Sequence, residues 1–180
     1  EFITPGAFLA RPALGYQRAH IGKVSPGAAD PIRFGWPYFA GGEPYRPEVP
    51  SYFDWLKYIN GTAAPTTKYA TSDSVNEALA VIRKAKRANK PSYLASAFNA
   101  PDSPFHRPPS QLHSYDSLPE YTPEADARPY FEAMIEALDS EIGRLLRNVD
   151  LDSTTVIFVG DNGGTTVTVA PPYDPKRSKS

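Results

Sequence analysis

Three short runs of the chain are apolar and bounded by turn-forming residues: 17–23, 92–98 and 154–160. The last reads Thr-Thr-Val-Ile-Phe-Val-Gly, with the β-branched and aromatic enrichment of a central strand. Two other stretches carry helical periodicity. Phe131, Met134, Ile135, Leu138, Ile142, Leu145 and Leu146 recur at three- and four-residue steps and define one face, with Glu132, Glu136, Asp139, Glu141 and Arg144 on the other. From about 74 to 88, Val75, Ala78, Leu79 and Ile82 form the apolar side, and Ser74 and Glu77 are spaced as a capping box that would start the helix.

A helix followed by an apolar strand, twice in succession, predicts an α/β fold: a mainly parallel sheet with helices on both faces. Twenty prolines and 12 glycines interrupt the remainder, so 24–70 and 99–129 are expected to be loops. The core βα units are then 71–98 and 130–164, within one domain-sized piece of 180 residues. In open α/β sheets the chemistry lies beyond the carboxyl ends of the strands. That rule directs attention to the residues following 23, 98 and 160.

Composition narrows the classes. Lys plus Arg is 19 against 20 for Asp plus Glu, so no global field recruits nucleic acid or an anionic membrane. The basic run Arg83, Lys84, Lys86, Arg87 and Lys90 reads as a solvated helix end whose cations complement the helix dipole. The absence of cysteine excludes disulfides, thiolate metal sites and thiol nucleophiles. No apolar run approaches the roughly 20 residues of a membrane span. Neither a Gly-x-Ser-x-Gly elbow, a P-loop nor a dinucleotide fingerprint occurs.

Candidate chemistry starts at Asp161-Asn162-Gly163-Gly164, where a carboxylate and an amide oxygen stand side by side at the end of the third apolar run. Oxygen donors of this kind suit a hard cation such as calcium. The same residues also make a plain turn. His106 and His113 lack a standard ligand spacing and read as a pocket rim or exposed loop, and His20, inside an apolar run, reads as a hydrogen-bonded core histidine. The triplet Asn60-Gly61-Thr62 matches a glycosylation acceptor, a pattern too short to carry weight.

Several segments appear in an order that resembles the sulfatase family of the alkaline phosphatase superfamily. They are Gly15-Tyr16 with Ala19-His20-Ile21-Gly22-Lys23, Phe34-Gly35-Trp36-Pro37-Tyr38-Phe39, Ala97-Phe98-Asn99-Ala100-Pro101, and the stretch from Tyr130 through Val156-Ile157-Phe158 to Gly160-Asp161-Asn162-Gly163. The resemblance implies an alkaline phosphatase-like sheet, incomplete here, and a hydrolase acting on a sulfate-ester small molecule or a sulfated glycan. It places Asp161 and Asn162 on a divalent metal, usually calcium, and Lys23 on the sulfate. Lys179 is placed on the sulfate as well, with Lys176 as the alternative register, and His106 falls near the substrate. It also implies a periplasmic or secreted location, with the export signal outside this stretch.

Three departures bear on activity. Ser25 stands where the family's Gly-Lys-Trp-His has its histidine, and a hydroxyl can bind a sulfate oxygen but is no practical proton donor or acceptor near neutral pH. Asp102 stands where a second histidine is expected. A carboxylate at about 4 Å from a sulfate costs roughly 4 kcal/mol at an effective dielectric near 20, about three decades in affinity unless a cation cancels it. Finally, the 180 residues hold no Cys/Ser-x-Pro-x-Arg motif, the source of the family's nucleophile. The expectation is an internal stretch of the domain that is inactive alone. Two alternatives stay open: a non-catalytic anion- or metal-binding relative, and phosphoryl transfer on the same scaffold.

Overall fold

The computed structural model describes residues 5–24, 34–43, 50–160 and 168. It divides into two compact units, 1–99 and 100–180. The first is built on a five-stranded sheet in the order β4-β3-β2-β1-β5, formed by β1 (Gln17–Gly22), β2 (Phe39–Gly41), β3 (Trp55–Ile59), β4 (Thr62–Thr66) and β5 (Ser92–Ala97). β1 runs parallel to β2 and β5, whereas β2, β3 and β4 are antiparallel neighbours. The α/β class holds, and the sheet is mixed: three of its strands arise inside the stretch 24–70 that was expected to be loop.

The antiparallel half had a sequence signal. Asn60 and Gly61, with φ of 47° and 87°, turn β3 into β4, and an Asn-Gly pair between two runs is the usual mark of such a hairpin. Asn60 also ties the hairpin to β2: its Oδ1 accepts from the Phe39 N–H at 2.8 Å, and its N–H donates to the Phe39 carbonyl at 3.1 Å. At the outer edge Pro65 sits on β4, where a residue without an N–H is tolerated and discourages further pairing.

The helix α2 (Ala70–Arg87) lies against β1 and β5. Its Val81 packs with Leu94 and Tyr38 over a small buried cluster of Ala19, Ile21 and Ala40. It begins four residues before the expected capping box, and the box does not form. Ser74 instead donates back to the Ala70 carbonyl at 3.0 Å, and Glu77 turns to Lys57 and Tyr38. The reason is tertiary: Lys57 on β3 is half-buried and needs counter-charge, and the helix supplies two carboxylates. Lys57 Nζ lies 2.5 Å from Asp73 and 2.6 Å from Glu77, and the Tyr38 hydroxyl donates to Glu77 at 2.6 Å.

Burial opposes the charge on Lys57, yet its hydrogen bonds to Asp73 and Glu77 outweigh that and raise its pKa above the ordinary value. Burial likewise disfavours an ionised Glu77, but the bonds from Lys57 and Tyr38 prevail and lower its pKa. The opposite face of β1 holds Arg18, whose Nη1 donates at 2.9 Å to the carbonyls of Gly6 and Gly35. It thereby fastens the one-turn helix α1 (Pro5–Phe8) and the segment leading to Trp36.

The second unit contains α3 (Ala127–Leu146), capped by Asp126, whose carboxylate accepts from the Arg128 N–H at 3.0 Å. Its buried stripe is Ala127, Tyr130, Ala133, Met134, Ala137 and Glu141, rotated by about one residue from the expected one, and Ile135 is exposed. Small alanines permit close approach there. Glu141, expected on the outer face, is buried because Arg144 one turn later donates to it at 2.7 Å. Phe105 and Tyr121 from the preceding loop meet Phe131 and Tyr130 edge to face. Residues 154–160 form no strand and are exposed, with Ile157 at 81% and Phe158 at 78%. Strand propensity is expressed only where a partner offers backbone hydrogen bonds.

The buried charge network yields a test. Lys57→Met leaves buried Asp73 and half-buried Glu77 without their nearest cation, and should lower unfolding stability by about 3 kcal/mol. Urea unfolding within about 0.5 kcal/mol of the parent would show that the network contributes little.

Candidate functional site

The carboxyl ends of β2, β1 and β5 meet closely. Gly22 has φ of 98°, and a Cβ there would overlap the Ala97 carbonyl; one on Gly41 would overlap the Gly22 carbonyl oxygen. Only glycine permits this approach, and it sets the position of the next residue. Lys23 donates its N–H to the Ala97 carbonyl at 2.7 Å. Its own carbonyl accepts from the His20 ring, Nε2 to O, at 2.8 Å. The lysine therefore sits half-buried just past β1, at the sheet end where the parallel β5 also exits toward Phe98 and Asn99.

His20 is, as expected, a core histidine with its hydrogen bond satisfied. It stacks on Phe39 at 6.0 Å and meets Trp36 edge to face at 5.5 Å. Trp36 in turn stacks on Tyr93 at 5.4 Å. Burial lowers the His20 pKa, partly offset by the bond to Lys23. The aromatic layer links the segments of the family likeness around Tyr16–Lys23 and Phe34–Phe39, which sequence reading had ordered but not joined.

Asp102 and His106 belong to the second unit. Asp102 is half-buried in the turn that follows the cis peptide between Ala100 and Pro101. His106 is half-buried, and its Nδ1 donates to the Pro104 carbonyl at 2.9 Å; burial lowers its pKa, with that bond and Glu120 acting in the opposite sense. His113 is occupied structurally, its Nε2 donating to the Pro108 carbonyl at 3.1 Å while Nδ1 accepts from the Tyr115 N–H at 3.1 Å. Arg107 bonds the Leu118 carbonyl and Glu120, which ties the loop to itself. Ser25, Asp161, Asn162 and Lys179 lie outside the described residues.

The described residues include no group of three or more His, Asp or Glu able to hold a metal ion. Asp161 and Asn162 have the right donor chemistry for a hard cation but supply only part of the roughly six to eight oxygens calcium takes. No described helix is long and apolar enough to cross a membrane. The basic residues at the end of α2 are exposed, in keeping with a solvated helix end.

The first unit is thus an α/β assembly with parallel strands, a helix on the sheet and a lysine held at the carboxyl strand ends. The sequence matches the sulfatase family over residues 12–178, and the chain belongs to that family. An uncharacterised sulfatase of Escherichia coli K12, YdeN, is 28% identical over 111 residues, covering 59% of this chain and 19% of its own length. Ps i-CgsB, solved in complex with k-i-k-neocarrahexaose, superposes with a TM-score of 0.61 at 19% identity over 78% of this chain and 35% of its own. A Bacteroides thetaiotaomicron protein described under metabolism of multiple glycosaminoglycans gives a TM-score of 0.56 at 15% identity, over 79% of this chain and 37% of its own. The chain thus spans about a fifth of the curated relative and about a third of these solved structures. The family generally uses a divalent metal.

The two half-buried histidines, His20 and His106, predict the acid limb of stability. Both have folded pKa values below the ordinary 6.5, so folding favours their neutral forms. The stabilisation is complete above pH 6.5 and is lost as the pH falls from there through the lowered values. The urea midpoint should drop between pH 7 and pH 5, before the stabilisation from Glu77, whose folded pKa lies below the ordinary value, begins to be lost at lower pH. A flat midpoint across that interval would contradict the burial of both rings.

Proposed function

We propose that this chain supplies part of the substrate and metal site of a sulfuric-ester hydrolase acting on sulfated glycans. Lys23 and Lys179 bind the sulfate. Ser25, Asp102 and His106 line the substrate side, and Asp161 and Asn162 contribute oxygens to a divalent cation, calcium by the nature of the donors. The observation that carries the reading is Lys23: a cationic residue whose two flanking peptide groups are bonded at the carboxyl ends of parallel strands, in a chain of the sulfatase family. The carrahexaose bound to one structural neighbour and the glycosaminoglycan setting of another support a glycan ester over a small aryl sulfate.

The chemistry divides by residue. A bound cation would withdraw charge from the ester oxygens, and the lysine ammonium groups neutralise the sulfate. Ser25 donates a hydrogen bond without moving a proton at neutral pH. Asp102 opposes an anion unless it is protonated, ion-paired or recruited to the cation. No residue of the 180 is assigned as the attacking group. Ser25 and Asp102 in place of histidines favour a second reading, a relative that binds anion or metal without turnover.

Sulfate titration of the 180-residue chain, followed by NMR at constant ionic strength, tests the binding role. Lys23→Ala should weaken sulfate at least about tenfold, the worth of a charge-assisted hydrogen bond. Equal shifts in both proteins, or sulfate indistinguishable from chloride, would remove the reading. Calcium should bind no more tightly than about millimolar, and nitrocatechol sulfate should not be turned over by this chain. Micromolar calcium affinity lost on Asp161→Ala would show that other residues complete the cation site.

A further inference from the structure

A lysine on a four-carbon stem can be aimed only as well as its own backbone is fixed. β1 ends at Gly22, so the peptide after Lys23 lies beyond the strand. The His20 ring holds it there. The ring Nε2 lies 2.8 Å from the Lys23 oxygen, and because a carbonyl only accepts, Nε2 carries the proton. With the Lys23 N–H bonded to Ala97 at 2.7 Å, both peptide groups flanking the lysine Cα are held. The ring itself cannot swing freely between Phe39 and the edge of Trp36.

We propose that His20 is a positioning residue for Lys23, holding the lysine backbone through an Nε2–H bond so that its ammonium group is presented at the carboxyl end of β1. The inference rests on Lys23 being the sulfate-binding lysine proposed above. Burial keeps the ring neutral at neutral pH, which preserves one donor and one acceptor nitrogen and so a defined tautomer. A histidine that merely filled the core would be replaceable by another flat apolar ring. A positioning histidine needs its donor.

The test compares His20→Phe, His20→Gln and Lys23→Ala in the 180-residue chain, titrated with inorganic sulfate and followed by NMR, with amide exchange read at Lys23 and Val24. Phenylalanine keeps the stacking and removes the donor. It should weaken sulfate about fivefold, the loss expected for one hydrogen bond, and speed exchange at both amides. Glutamine, whose amide nitrogen reaches the place of Nε2, should recover most of the affinity. If Lys23→Ala weakens binding while His20→Phe does not, or if Gln is no better than Phe, the positioning role is wrong and the sulfate site stands. If Lys23→Ala changes nothing, both fall. Should His20→Phe fail to fold, the imidazole nitrogen shifts of the parent protein decide, since an Nδ1–H tautomer at pH 7 would overturn the proposal.

Discussion

The close approach of three strand ends governs the first unit. β2, β1 and β5 converge because Gly22 and Gly41 carry no side chain, and a methyl group at either would strike backbone that cannot move aside without breaking the sheet. The convergence brings the Ala97 carbonyl to the Lys23 N–H, and the position of the lysine follows from it. The aromatic layer of Trp36, His20, Phe39 and Tyr93 lies beneath this point, and Arg18 anchors the segments that carry it. The sulfatase likeness in this half thus has a physical centre in two glycines and a histidine as well as in the lysine.

The rest of the first unit depends on charge more than its alanine-rich core would suggest. Lys57, Asp73, Glu77 and Tyr38 link the antiparallel strands to α2 through short bonds with little access to water. Such a network gives modest net stability because desolvation offsets attraction, but it is costly to break in part. It also favours one register of helix against sheet, since sliding α2 by a turn would leave Lys57 only one of its two carboxylates. That selection accounts for the early start of the helix.

In the second unit the same balance appears in miniature. Ser114 and Tyr115 bond the outer carboxylates of α3, Ser114 to Glu136 at 2.7 Å and Tyr115 to Glu132 at 2.7 Å, so the proline-rich stretch is fastened by specific hydrogen bonds despite having little regular structure. His113 is consumed by the same fastening. His106 is held by its own loop through the Pro104 carbonyl.

Patterns that depend on near neighbours were legible in the sequence. β1 and β5 fell within a residue of their expected bounds, both long helices were located, and the order of family segments identified the family. Lys23 directly follows β1, as its apolar run indicated. The hairpin had a local signal too, in Asn60-Gly61, but the proline and glycine content of 24–70 favoured a loop there. What the sequence could not decide was which groups would meet across long separations. The capping box yielded to Lys57, the buried face of α3 was selected by alanines and the Glu141–Arg144 pair, and the best strand-forming run, 154–160, formed no strand. The loss of the capping box turns on a partner distant in the chain. Local propensity amounts to tenths of a kilocalorie per residue, whereas a buried charge or an unpaired backbone group amounts to whole ones, so where the two disagreed the tertiary partner decided.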